Sequence, residues 1–193
     1  MTTSPRILVF AGSARQESLN KRLARAAAAT ARELGAESTF LDLADHPMPL
    51  FDQDLEATEG MPASARAFRE QLASHDGFLI ASPEYNSSLT PLLKNALDWA
   101  SRSPGGGGDL SAYQGKIAGL LAASPGGLGG LRGLVHLRAI LGNIGVHVVP
   151  TQMAIPAAGD AFGEDGSLLD EGQASRVRSV VEEVVRVATA LRG

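Results

Sequence analysis

Four short stretches of the chain are apolar almost throughout and rich in Ile, Leu and Val: RILVF (6–10), GFLIAS (77–82), KIAGLLAAS (116–124) and VHVVP (146–150). A fifth, STFLDL (38–43), is weaker. Between them the apolar residues recur every three or four positions, the spacing that gathers them on one face of a helix. Leu19, Leu23, Ala26, Thr30 and Leu34 share such a face, and Gly35 follows as a stop signal. Val177, Val181, Val184, Ala188 and Leu191 form a second stripe. A third runs through Leu93, Ala96, Leu97 and Ala100, after Pro91, a residue suited to the first turn. Strands that are apolar on both sides, alternating with helices, predict a parallel sheet covered on both faces. The expected fold is therefore α/β, a doubly wound three-layer sandwich of five strands and about five helices. SPGGGG (103–108) has linker composition. Helix and strand continue the alternation on either side of it, so it is read as a mobile loop within one domain spanning 1–193.

Length and composition narrow the chemistry. At 193 residues, 44% hydrophobic and 20% charged, the chain can bury a core without metals or disulfides. It contains no cysteine, which excludes thiol nucleophiles, thiolate-held zinc and iron–sulfur clusters. Redox chemistry would have to come from a bound organic cofactor. A formal net charge of -4 gives no basic footprint, so nucleic acid is not an expected partner. The run ILVFAG is shorter than the roughly 7–15 residues of a signal-peptide core, and no segment approaches the roughly 20 needed to span a bilayer. No membrane association is expected, and the cytoplasm is the expected location. His46, His75, His136 and His147 are scattered without metal-ligand spacing. Asp42, Asp45, Asp52 and Asp54 lack a calcium-loop pattern and are read as solvated or at an oligomer contact. Trp99 and Asp98 are read as packing and surface residues.

In open parallel sheets, ligands bind outside the carboxyl ends of the strands, where the strand order reverses. Three connections there are rich in Gly, Ser and Asn: GSARQESLN (12–20), SPEYNSS (82–88) and SPGGLGG (124–130). In the first, Ser13, Ser18 and Asn20 carry hydroxyl and amide donors, and Arg15 carries a permanent charge. The next helix begins near Ser18, adding its free N–H groups, with the backbone of Leu19, to a phosphate-type site. Taken alone, the segment is equally explained by Ser18 capping the helix and Arg15 lying in solvent. In the second, Pro83 fixes the backbone, Tyr85 offers an aromatic face, and Glu84 and Asn86 add polar groups. The backbone N–H groups of Tyr85 and Asn86 are expected to face a heteroaromatic ring. In the third, Ser124, Gly126 and Gly127 supply backbone without bulk, useful against a planar ligand. Together they outline a phosphate pocket beside a slot for a flat ring with polar edges, which a flavin mononucleotide matches.

The segments GSARQESLNKRLA, SPEYNSSLTPLLKNALDWASR and SPGGLGGLRGLVHLRAILGNIGVHVVP resemble the signatures of the NAD(P)H-dependent FMN reductases, a flavodoxin-like group that includes quinone, azo and chromate reductases. The likeness covers about residues 6–170. It implies strand order 2-1-3-4-5, FMN as cofactor and NAD(P)H as co-substrate. It also implies hydride passing to FMN and on to a small-molecule acceptor: a quinone, azo compound, metal oxyanion or free flavin. By position, Ser13, Arg15, Ser18, Leu19 and Asn20 match the phosphate loop. Pro83, Glu84, Tyr85 and Asn86 match the lining of the isoalloxazine, and Ser124, Gly126 and Gly127 the loop beside the ring. No side chain is required as acid or base. Thr90-Pro91 departs from the family, many members of which have Pro-Gly there. The resemblance further implies a homodimer or homotetramer. Two other readings of the topology are a non-enzymatic, flavodoxin-like electron carrier and a receiver-type signalling domain. The first is disfavoured by the modest acidity, the second by Gly12-Ser13 and Ser82-Pro83 at positions where acidic residues are needed.

Overall fold

A computed structural model describes residues 4–192. In chain order the elements are β1 (Arg6–Ala11), α1 (Leu19–Glu33), β2 (Glu37–Leu41), α2 (Gln53–Glu59), α3 (Ala63–Ser74), β3 (Gly77–Ala81), α4 (Pro91–Ala100), β4 (Ile117–Ala123), α5 (Leu131–Asn143), β5 (His147–Ile155) and α6 (Glu171–Leu191). Short 3-10 turns lie at Leu43–Asp45 and Ala158–Asp160. All five strands are parallel, in the order β2-β1-β3-β4-β5. This is the expected flavodoxin-like order.

Because successive strand residues point to opposite faces, each inner strand feeds two cores. Ile7, Val9, Leu79, Ala81 and Leu121 pack with α1 and α6 on one side. Leu8, Phe10, Phe78, Ile80 and Leu120 pack with α3, α4 and α5 on the other. Every residue of β3 and β4 is buried, as the uninterrupted apolar runs require. In β4, Gly119 is a notch: a Cβ there would lie 2.7 Å from Val184 Cγ2 and 2.8 Å from Val180 Cγ1, so α6 seats directly on the strand. No helix of the described residues is long and apolar enough to cross a membrane.

Several boundaries differ from the sequence reading. Among the described residues there are six α-helices rather than about five; the short α2 begins where the Asp52 carboxylate caps the N–H groups of Asp54 and Leu55. The buried face of α1 runs through Asn20, Leu23, Ala24, Ala27, Ala28 and Ala31, rotated from the expected stripe. Four consecutive alanines give that helix too little contrast to fix its orientation. Leu191 is 62% exposed, while Val180 and Val185 complete the buried face of α6. Strand β2 ends at Leu41, since Asp42 turns the chain by accepting the N–H of Ala44. Strand β5 runs on past Pro150, whose missing N–H is absorbed at a register shift where Ala118 pairs with Val148 but Leu120 with Gln152. The 103–108 segment is a tight turn closed by a bridge between Arg102 and Gly108. The clustered aspartates are not simply solvated: Asp42 also pairs at 2.7 Å with the buried Lys21.

Candidate active site

The reversal of strand order falls between β1 and β3, and the connections after β1, β3 and β4 meet there. One cleft of about 130 Å³ is lined by Ser13, Arg15, Ser18, Leu19 and Asn20 from the first, Pro83, Glu84 and Tyr85 from the second, and Ser124 from the third. Asn86, Gly126 and Gly127 lie in the same connections but outside that lining. Larger hollows exist, one of about 380 Å³ between α1 and the 165–168 turn and one of about 560 Å³ between α4 and α5. Neither is lined by residues from all three connections.

The first connection leaves β1 at Gly12, whose N–H donates to Ala81 O at 2.9 Å. A Cβ on Gly12 would lie 2.9 Å from Leu93 Cβ and 3.3 Å from Pro83 Cδ, so only glycine lets β1 pass this close to α4. Ser13 is 9% exposed, and its Oγ accepts from Arg15 N–H at 3.3 Å. Ser18 caps α1, accepting from Lys21 N–H at 3.3 Å. The N–H groups at the start of α1 have no intrahelical acceptor and carry the positive end of the helix dipole. Among the described residues no carboxylate pairs with Arg15. Hydroxyls, free N–H groups and an unmatched guanidinium therefore line the cleft, the donor set a phosphate requires.

Asn20 has a different task from the one its sequence position suggested. Its Nδ2 donates to Ala123 O at 2.8 Å and its Oδ1 accepts from Ala123 N–H at 2.9 Å. The amide thus ties the start of α1 to the end of β4 from within the core, at 4% exposure.

The second connection contains a two-residue turn. Tyr85 N–H donates to Ser88 O at 2.9 Å and Ser88 N–H to Tyr85 O at 3.1 Å, with Asn86 and Ser87 at φ 51° and 67°. Two left-handed residues in succession make this a type I′ turn. Tyr85 N–H is consequently not free, contrary to expectation, while its ring projects outward at 57% exposure. Glu84 borders the cleft, but its carboxylate reaches away, accepting from Arg132 Nε and Nη2 at 2.9 and 2.6 Å and from Gly133 N–H at 3.0 Å. Burial pushes the Glu84 carboxyl up, but the bonds from Gly133 and Arg132 outweigh it and hold the group below its ordinary value of 4.5. A depressed folded-state pKa stabilises the protein above the unfolded value, and that contribution is lost as pH falls through the folded one. The stability gap between wild type and Glu84→Gln is accordingly expected to narrow on acidification below the ordinary carboxyl range. Chemical denaturation at a series of pH values measures it; a gap that stays constant would show that the carboxylate contributes nothing through its charge.

In the third connection the glycines divide into two kinds. Gly129 and Gly130 have φ 64° and 96°, and a Cβ on Gly129 would sit 2.7 Å from the carbonyl carbon of Ile155. The fold itself requires both to be glycine. Gly126 and Gly127 do not have positive φ; a Cβ on Gly127 would meet nothing within 4 Å, and one on Gly126 only Ser124 Oγ at 3.5 Å. Both are exposed. Nothing in the chain demands that they be bare, which suits a surface that a flat ligand approaches.

Sequence reasoning did not assign the bonds of four side chains in this part of the molecule: Thr90, Arg132, and the paired Lys21 and Asp42. Thr90 had a signal, its position directly before Pro91 at a helix start. Arg132 had none.

Residues 5–160 match the family described as NADPH-dependent FMN reductase. The chain is 35% identical, over the full length of both chains, to the NAD(P)H-dependent FMN reductase of Pseudomonas aeruginosa. It is 36% identical to the NAD(P)H:quinone oxidoreductase of Solanum tuberosum, covering 100% of this chain and 98% of that one. Among solved structures, the flavoenzyme NAD(P)H:acceptor oxidoreductase of Paracoccus denitrificans superposes with a TM-score of 0.82 at 28% identity, over 96% of this chain and 98% of that one. With the strand order, the donor-lined cleft at the switch point and these likenesses in hand, the chain belongs to the NADPH-dependent FMN reductase family: it is an oxidoreductase with FMN and NAD(P)H as its cofactors.

Proposed function

We propose that the chain holds FMN in the cleft between the three connections and uses NAD(P)H to reduce a small-molecule acceptor of the quinone class. Azo compounds, metal oxyanions and free flavin are further acceptors of the same exposed site. The observation that carries this reading is the polarity of the cleft. Unmatched donors from Ser13, Arg15, Ser18 and the first turn of α1 line it together with exposed Tyr85, and the bare Gly126 and Gly127 follow Ser124 in the third connection, outside the lining. The name of the potato relative favours quinones as acceptors.

Bound FMN supplies the two-electron chemistry between NAD(P)H and the acceptor. The protein's part is to bind and orient. Ser13, Arg15, Ser18 and the N–H groups of α1 hold the phosphate. Pro83, Tyr85 and Asn86, with Ser124, Gly126 and Gly127, border the ring. Asn20 and Glu84 hold those segments in place rather than touching the ligand with their polar atoms. The only charged side chain lining the cleft other than Arg15 is Glu84, already fully engaged, so no acid or base is assigned. Fixed N–H dipoles facing a site of developing negative charge stabilise it without reorganising.

The purified protein is expected to be yellow, or to become so on adding FMN, and to bleach on anaerobic addition of NADPH with turnover when a quinone follows. Failure to take up FMN overturns the reading. Uptake without bleaching leaves the electron-carrier alternative. Ser13→Ala, which removes a charge-assisted hydrogen bond, is expected to weaken FMN about tenfold or more. Fluorescence titration checks it, and unchanged affinity would place the phosphate elsewhere.

The proposal extends to a cytoplasmic enzyme acting as a homodimer or homotetramer. Exposed Leu128, Leu131 and Val135 beside the hollow lined by Leu89, Pro91 and Ile140 support self-association. Sedimentation at one-protomer mass would contradict it.

A further inference from the structure

We propose that Thr90 is a positioning residue for the phosphate end of the site, acting by fixing the peptide between Gly12 and Ser13. This rests on the reading that the cleft holds FMN. The Thr90 hydroxyl is buried, at 3% exposure, and makes two bonds at once. It accepts from Leu93 N–H at 3.2 Å, which caps α4. It donates to Gly12 O at 2.7 Å, across 78 residues of sequence. Thr90 therefore joins the connection after β1 to the helix that follows the connection after β3.

The second bond has a directional consequence. The described residues contain no cis peptide, and a trans peptide sends its C=O and its N–H to opposite sides. With Gly12 O turned toward Thr90, on the α4 side, the N–H of Ser13 is turned away from α4, toward the cleft that Ser13 lines. Among the described residues that N–H donates to no protein acceptor. It is a donor without a protein partner on a residue only 9% exposed, and such groups are usually completed by a ligand or ordered water. Gly12 cannot easily relieve the arrangement by moving bodily, because it is already wedged between Leu93 and Pro83. What remains free is rotation of the peptide plane, and one hydroxyl holds it.

The test separates a phosphate-directed effect from loss of structure by comparing two ligands. Apo-protein is titrated with FMN and with riboflavin, which has the ring but no phosphate, following flavin fluorescence. Thr90→Val keeps the shape and removes the hydroxyl. It is expected to weaken FMN about tenfold and leave riboflavin within about twofold of wild type, while Thr90→Ser restores FMN binding. A merely structural role would weaken both ligands alike, and that result overturns the proposal, as does a Thr90→Val protein that binds FMN like wild type. If Thr90→Val does not fold, Thr90→Ala is put through the same two titrations and judged by the same two criteria. A wild-type protein with equal affinity for FMN and riboflavin would instead overturn the placement of the phosphate, and this proposal with it.

Discussion

Replacing Asn20 with alanine is expected to cost on the order of 2–6 kcal/mol of folding stability, far more than the loss of an ordinary surface amide. The bonds removed are those to both the N–H and the C=O of Ala123, at the buried seam between α1 and β4. A buried backbone group stripped of its partner costs about 1–3 kcal/mol, and here two are stripped by one substitution. The isosteric Asn20→Asp separates packing from pairing. It keeps the volume and the acceptor for Ala123 N–H, but sets a second oxygen against Ala123 O, so it should be at least as damaging as alanine. Urea unfolding of the three apo-proteins checks the order. Should Asn20→Asp prove as stable as wild type, the paired geometry is wrong and Asn20 is free to serve the ligand directly.

Gly127→Phe is expected to do the reverse: unchanged thermal stability of the apo-protein, with FMN affinity lowered about a hundredfold or more, equivalent to about 2.7 kcal/mol. The backbone at Gly127 is accessible to any residue and a side chain there meets no protein atom, so folding should not register the change. A ring lying against that backbone would. Gly129→Ala is the internal control with the opposite signature. It forces an L side chain into φ 64° and drives a Cβ into the carbonyl of Ile155 at 2.7 Å, so it should destabilise the fold whether or not flavin is present. Paired melting curves and flavin titrations of the two variants check this. A Gly127→Phe protein that binds FMN normally would remove the third connection from the ring's surroundings.

The difference between these glycines marks the limit of what the sequence could disclose. SPGGLGG reads as four equivalent glycines, and only coordinates separate those the backbone requires from those left bare. The sheet was legible because its inner strands are buried on both faces and read as uninterrupted apolar runs. The orientation of α1 was not, because its run of alanines carries no contrast between faces. Ser13, Arg15 and Ser18, which line the cleft, could be singled out by chemistry that is local: donors next to a helix start. Asn20 and Glu84 were placed in the right neighbourhood, but the bonds their side chains make were not legible, because their partners, Ala123 and Arg132, lie 103 and 48 residues away. Tyr85 N–H was assigned to a ligand although a tight turn occupies it; Asn-Ser is a less recognisable turn pair than Asn-Gly.

The notch at Gly119 bears on how the chain reaches this state during synthesis. The valines that fill it, Val180 and Val184, are translated some sixty residues after the strand they cover, roughly 3–12 seconds later at about 5–20 residues per second. Throughout that interval α1 can cover its share of this face, while the strip of the sheet under α6 stays open to water.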